Sequence, residues 1–222
     1  MKQSYDKFVR ILSVISIYFL TFLTAYFYFT YLNGSGGILS VSNASQYLPE
    51  ILMQSFLVNA PILIILLLTF VILRKKAVGY FALEVERKTA KIIVTVLAIV
   101  YVLSLARQLV VYDDKVTIVF RWIYYLVFVA FCEELEYRAL MPAILKGRVH
   151  KCVEWLLPNV LFACSHLVMP MIQGKGFVEL LGILGSSIVG YVLMGVFWEW
   201  CKRKSGSLWV GVLIHAIMDF GV

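Results

Sequence analysis

Long apolar stretches alternate with short polar segments along the chain. About 20 apolar residues are enough for a helix to cross a hydrocarbon core about 30 Å thick. The stretches cover residues 8–32, 51–73, 92–111, 116–145, 152–169, 177–200 and 208–222. This pattern predicts an all-α fold, a polytopic membrane helix bundle of about seven transmembrane helices. It also predicts a multi-pass protein of the cell membrane.

The composition supports this interpretation. Hydrophobic residues make up 62% of the chain, whereas soluble domains contain about 45–50%. The first apolar stretch is longer than the roughly 7–15 residues of a signal-peptide core. We therefore interpret it as a retained transmembrane span.

The basic residues fall in alternate polar segments. Lysine and arginine concentrate at the N-terminus and in segments 74–91, 146–151 and 202–204, whereas segments 33–49, 112–115 and 170–176 hold few or none. The positive-inside rule therefore predicts a cytoplasmic N-terminus and a C-terminus outside. The net charge of +7 then indicates orientation in the lipid bilayer and contact with anionic lipid. No nucleic-acid partner is expected.

The fourth apolar stretch carries a cluster of charges that is expensive at membrane depth. Each charge at the centre of a membrane helix costs roughly 2.5–3.5 kcal/mol. Glu134 and Arg138 lie four residues apart and are expected to pair on one helix face. Glu133 lies about 100° further round the helix, which leaves its carboxylate available as a general base. The same count places Glu136 near the membrane interface, in contact with water. The alternative is that the whole cluster is a helix end in water.

Two other stretches contribute histidines. Phe162 and His166 share a helix face in the fifth stretch, and His215 and Asp219 share one in the last. The second pair can hold a metal jointly, or the acid can orient the imidazole. The alternatives are a histidine that only bonds neighbouring helices and a simple polar pair near the outer surface.

Ionisable residues inside a membrane almost always face the bundle interior and one another. We therefore expect Glu133, His166, His215 and Asp219 to meet in one cavity. These four residues could bind a divalent cation such as zinc. They could instead activate water directly, with Glu133 as base and the second histidine site stabilising an oxyanion. Both options lead to hydrolysis.

The three motifs together resemble those of the CAAX prenyl protease and bacteriocin-processing (CPBP, Abi) family of intramembrane endopeptidases. That family has Glu-Glu-x-x-x-Arg, Phe-x-x-x-His and His-x-x-x-Asn/Asp motifs on successive core helices. The chain supplies them, in this order, at residues 133–138, 162–166 and 215–219. The resemblance predicts an N-terminal three-helix region at residues 1–115. It also predicts a four-helix catalytic core at 116–222, in one integrated membrane domain.

The resemblance also implies roles. Glu133 would activate water with His166 as its partner, and His215 and Asp219 would stabilise the oxyanion or complete a metal site. The supporting residues would be Glu134, Arg138 and Phe162. Many relatives carry Asn where this chain has Asp219, and an ionised Asp is a better metal ligand but a poorer oxyanion donor. The metal and glutamate mechanisms therefore both stay open.

The implied function is cleavage of a membrane-associated peptide or protein, as in precursor processing, peptide signalling or bacteriocin self-immunity. The short chain favours a bacterial member, so a farnesylated CAAX substrate is not expected. One alternative is a non-cleaving scaffold that regulates a partner such as a sensor kinase, which would not need Glu133 and His166 together. Another is a cation or proton transporter. Transporters often contain internal repeats, and none is visible in the sequence.

Overall fold

The computed structural model describes residues 2–35, 37–74 and 76–221, which form helices and their connections and contain no β-strand. The helices are α1 (Lys2–Ser35), α2 (Ala44–Leu73), α3 (Lys76–Tyr80), α4 (Lys88–Val111), α5 (Lys115–Leu145), α6 (Lys151–Ser165), α7 (Val168–Ile172), α8 (Phe177–Ser205) and α9 (Leu208–Phe220). The predicted all-α polytopic bundle is confirmed. Lys75, in the predicted basic segment 74–91, lies outside the described residues. So do Met1, the first residue of the predicted region 1–115, and Val222, the last residue of the predicted region 116–222.

The structure confirms several membrane spans but not the predicted count of about seven. Six helical stretches in the described part of the chain are long and apolar enough to cross a membrane, which supports a multi-pass membrane protein. The remaining apolar helix, α9, has 13 residues. At 1.5 Å per residue it is about 20 Å long, shorter than a hydrocarbon core of about 30 Å. A count of seven spans is therefore not confirmed.

The short helix α9 lies inside the bundle, against α4, α5 and α8. Leu208 at its start is fully buried, and its N–H donates to the carbonyl oxygen of Ala82 at 2.7 Å. At the other end, the Gln108 amide donates to the carbonyl oxygen of Phe220 at 2.9 Å. Both ends of α9 are therefore fixed by neighbouring segments, and His215 lies in its second half, within the bundle.

The predicted basic segments meet at one end of the bundle. Arg148, between α5 and α6, pairs with Asp6 of α1 at 3.7 Å. Arg87, before α4, donates to the carbonyl oxygen of Lys204 near the end of α8 at 2.8 Å. These contacts join four segments that the positive-inside rule assigns to one side of the membrane. That this end is cytoplasmic stays a prediction.

The fifth apolar stretch departs most from the predicted continuous span. Helix α6 ends at Ser165, because the N–H groups of His166 and Leu167 bond back three residues, to Ala163 and Cys164, at 3.3 and 3.0 Å. Such bonds tighten the last turn of a helix and satisfy its carbonyls. The chain resumes as α7, so His166 lies at a break between two helices.

Candidate active site

Helix α5 widens on both sides of its acidic pair. Residues Tyr125–Phe131 and Leu135–Leu140 form π-helical turns, and the short segment Cys132–Glu134 separates them. Wide turns of this kind are frequent at functional sites. Glu134 is fully buried, whereas the side chain of Glu133 keeps 31% of its surface exposed. The two adjacent carboxylates therefore have different surroundings.

The predicted pair between Glu134 and Arg138 is present. The Nη1 atom of Arg138 lies 3.4 Å from Oε1 of Glu134, and both side chains are completely buried. The guanidinium also lies over two aromatic rings, 4.0 Å from the Phe162 centroid and 5.0 Å from the Trp198 centroid. Cation–π contacts are strongest where water is excluded, so Arg138 is held on several sides.

His215 links the carboxylates of α5 to the end of α9. Its Nδ1 lies 3.2 Å from Oε1 of Glu134, and its Nε2 lies 3.6 Å from Oε2 of Glu133 and 3.4 Å from Oδ2 of Asp219. The ring stacks on Trp198 at 4.2 Å, with 16° between the planes. Because both ring nitrogens face carboxylate oxygens, the arrangement suits an imidazolium, which donates from both.

His166 reaches the site from the break after α6. Its Nδ1 lies 3.0 Å from the carbonyl oxygen of Phe162, and its ring stacks on Tyr191 of α8 at 3.9 Å. A carbonyl oxygen only accepts hydrogen bonds, so Nδ1 carries a proton. In the neutral tautomer, Nε2 is then free to accept a hydrogen bond.

Glu133 and His166 line the same cavity, which has a volume of about 410 Å³. Its walls come from α1, α2, α5, α8 and the break between α6 and α7. The lining residues are Thr21, Phe22, Ala25, Phe29, Val58, Asn59, Ile62, Glu133, Glu136, Tyr137, Ser165, His166, Val168, Met169 and Tyr191. A cavity with mostly apolar walls and a few polar groups is typical of a binding site for a small molecule or a peptide segment.

The prediction for Glu136 was wrong. Glu136 is 6% exposed and lines the cavity, where the hydroxyl of Thr21 donates to its Oε1 at 2.7 Å. Counting along α5 alone placed it near water because the count leaves out α1, which packs over this turn. Thr21 belongs to a helix more than a hundred residues away in sequence, so only the fold shows this contact.

The structure brings the predicted residues together in two layers. Glu133 and His166 lie on the cavity wall, whereas His215 and Asp219 are absent from that wall. His215 contacts Glu133, and Asp219 contacts His215. Sequence reasoning missed Trp198 and Asn159, which lie close to Arg138. Asn159 carried a usable signal, because it lies three residues before Phe162 and polar side chains within apolar spans face the bundle interior.

The four residues considered as metal ligands do not form a recognisable metal site. Among the described residues, no group of three or more His, Cys, Asp and Glu side chains is arranged to hold a metal ion. His166 approaches the cavity from a different helix than His215, and no direct contact joins the two rings. We therefore derive no step through a metal.

Comparison with known proteins identifies one family. The family described as type II CAAX prenyl endopeptidase Rce1-like matches residues 115–221, which contain all three motifs. This match confirms the family resemblance and supports CAAX-type protease activity in the membrane. No curated protein and no solved structure matches the chain significantly.

Proposed function

We propose, for a chain whose residues 115–221 belong to the Rce1-like family of type II CAAX prenyl endopeptidases, that it hydrolyses a peptide bond in a membrane-associated peptide or protein. Glu133 and His166 activate the attacking water. The observation that carries the proposal is that both side chains line one cavity inside a membrane bundle. The family is described as a CAAX prenyl endopeptidase, and the largely apolar cavity is suited to a membrane-bound chain with or without a prenyl group.

Glu133 is the general base. Its carboxylate faces the cavity and is held from behind by His215 at 3.6 Å. His215 and Arg138 supply two positive charges. The carboxylates of Glu133, Glu134 and Asp219, which contact one or both of them, supply three negative charges, so one negative charge is left over. Glu134 and Asp219 have their own contacts to the two cations. The excess charge therefore belongs at Glu133, where it can take a proton from water.

His166 positions the water. Its Nδ1 is engaged by the Phe162 carbonyl, so the unprotonated Nε2 accepts a hydrogen bond from the water. Stacking on Tyr191 fixes the plane of the ring. A water held between Nε2 and the Glu133 carboxylate has its oxygen lone pair directed at the substrate carbonyl, which is the requirement for a near-attack geometry.

The reaction then balances with these groups alone. Glu133 takes a proton from water while the water oxygen bonds to the carbonyl carbon and the carbonyl electrons move to oxygen. The oxyanion needs a donor from the cavity wall. Asn59 is suited to this role, because one of its amide hydrogens bonds to the carbonyl oxygen of Ser55 at 2.9 Å and the other has no partner among the described residues. The C–N bond then breaks, and Glu133 returns its proton to the leaving nitrogen.

The test compares cells carrying wild-type protein with Glu133→Gln and His166→Ala variants. The matched control is Glu179→Gln, which removes an exposed carboxylate of α8 that pairs with Lys175. We expect the same membrane-associated precursor to accumulate uncut in both site variants and not in the control, at equal protein levels. A normal peptide pattern in both site variants would contradict the proposal and favour the scaffold alternative.

A separate measurement addresses the metal. Elemental analysis of the purified protein, with activity measured in strong chelator, distinguishes the two mechanisms. We expect full activity in chelator and no stoichiometric zinc. A stoichiometric divalent ion whose removal abolishes cleavage would overturn the direct glutamate mechanism.

A further inference from the structure

A second cavity lies at the end of the bundle opposite the basic segments. It has a volume of about 300 Å³ and is bounded by the end of α4, the start of α5 and the end of α9. Two arginines line it, Arg107 from α4 and Arg121 from α5, together with Gln108, Tyr112 and Gly221. It is separate from the cavity that contains Glu133 and His166, and the proposed hydrolysis does not use it.

The two guanidinium groups have no acidic partner among the described residues. The Nε atom of Arg121 is buried and has no hydrogen-bond partner there. Leaving a buried donor unpaired costs about 1–3 kcal/mol. Native structures rarely keep such a group without a ligand or water to satisfy it. Within the described part of the chain, Nε of Arg121 therefore lacks an acceptor and neither arginine has a carboxylate partner.

The neighbouring helix ends do not require these arginines. Lys115 donates to the carbonyl oxygens of Leu109 and Tyr112 at the end of α4. Gln108 donates to the last carbonyl oxygens of α9, including that of Gly221 at 3.0 Å. The exposed carbonyls beside the cavity thus already have donors, and none of the described residues that line the cavity carries a carboxylate. What remains to be bound is an anion that offers several acceptor oxygens.

The depth of the two arginines favours a membrane lipid as the source of that anion. Arg107 lies four residues before the end of α4 and Arg121 six residues after the start of α5, about 6 and 9 Å along each helix. Long arginine side chains extend toward the headgroup layer. Lipid phosphates lie in that layer, beyond a core about 30 Å thick. A guanidinium binds phosphate through two parallel hydrogen bonds.

We propose that Arg107 and Arg121 bind the phosphate of an anionic phospholipid in this cavity. The bound lipid contacts the turn that closes α9, directly after Asp219. It therefore braces the end of the helix that carries His215, beside the Gln108 amide.

The test uses native mass spectrometry of the whole protein in mild detergent, with phosphatidylglycerol or phosphatidylcholine added. We expect wild-type protein to retain one phosphatidylglycerol in preference to phosphatidylcholine. Retention should be roughly fivefold weaker for each arginine changed to glutamine, from the attraction of one basic residue to an anionic lipid. The control Lys175→Gln removes a positive charge at the same end, outside the cavity, and should retain lipid normally.

Equal retention of the two lipids by wild-type protein, or undiminished retention by the Arg107→Gln/Arg121→Gln variant, would overturn the proposal. So would displacement of the lipid by millimolar inorganic phosphate, because that would indicate a site for free phosphate. If the glutamine variants do not fold, the lysine variants serve instead. They keep the charge but lose the paired hydrogen bonds, so weaker retention supports the site and unchanged retention contradicts it.

Discussion

Gly195 of α8 is the position where one methyl group should disturb the candidate site most. A Cβ atom there would lie 2.2 Å from Oδ1 of Asn159 and 2.7 Å from Nη2 of Arg138. Both distances are well below ordinary van der Waals contact, so Gly195→Ala requires one or both side chains to move. The absence of a side chain at this position is what allows α8 to approach Arg138.

Neither side chain is free to move. Arg138 is completely buried, lies against Phe162 and Trp198 and pairs with Glu134 at 3.4 Å. Overpacking a filled core costs about 1–3 kcal/mol, and separating a buried ion pair costs about 3–5 kcal/mol. Alanine is better than glycine in a helix by about 1 kcal/mol. Displacement of Arg138 relieves the overlap, so the cost of separating the ion pair replaces the overpacking cost. That cost less the gain in helix propensity means that Gly195→Ala should lower the free energy of unfolding by about 2–4 kcal/mol.

The same displacement should reach the catalytic residues. Glu134 contacts Nδ1 of His215 through the oxygen that pairs with Arg138, and His215 in turn contacts Glu133. A shift of Arg138 therefore changes the position of the general base. Cleavage should fall more than the loss of folded protein explains.

The assay is unfolding of the purified protein in detergent micelles, with cleavage measured on the folded fraction. The control is Gly190→Ala, in the same helix, where an added Cβ meets no atom within 4 Å. We expect Gly190→Ala to be neutral or slightly stabilising and Gly195→Ala to be destabilised and impaired. If the two variants unfold alike and cleave alike, the packing around Arg138 does not hold the site as described.

Two further predictions concern hydrogen bonds to carboxylates. The Ser45 hydroxyl and backbone N–H groups at the start of α5 lower the pKa of the exposed Asp114 below its ordinary value, so its stabilising effect is present above that value and is lost as pH falls through the lowered pKa. Asp114→Ala should lower Tm at neutral pH, and a difference that persists in strong acid would refute this. Thr21→Val removes the donor to Glu136 and should cost about 1–2 kcal/mol. Thr24→Val, whose hydroxyl bonds only within α1, should cost less, and an equal loss in both would count against the contact.

Spacing within one helix was sufficient to predict part of the site. Glu134 and Arg138 pair, as a separation of four residues on one helix allows. His215 contacts Asp219 for the same reason. The lengths of the apolar stretches also predicted the membrane bundle, because a helix needs about 20 residues to cross the hydrocarbon core of a bilayer. These features depend only on the period of the helix and the thickness of the bilayer.

The relative depths of residues on different helices could not be predicted from the sequence. Glu133 lies 12 residues before the end of α5 at Leu145, and His166 lies 15 residues after the start of α6 at Lys151, about 18 and 22 Å from the basic end. These two distances show that His166 lies at a depth similar to that of Glu133, which the sequence alone did not establish.

The contacts of His215 indicate a role for Asp219, the position at which the family motif allows either Asn or Asp. Here Nε2 faces Glu133 and Asp219 together, so its proton is shared between two carboxylates. Sharing weakens its hold on Glu133 and leaves more negative charge on the oxygen that faces the cavity. We propose that Asp219 tunes the basicity of Glu133 through His215 and does not act on the substrate, a role that uses the negative charge of aspartate.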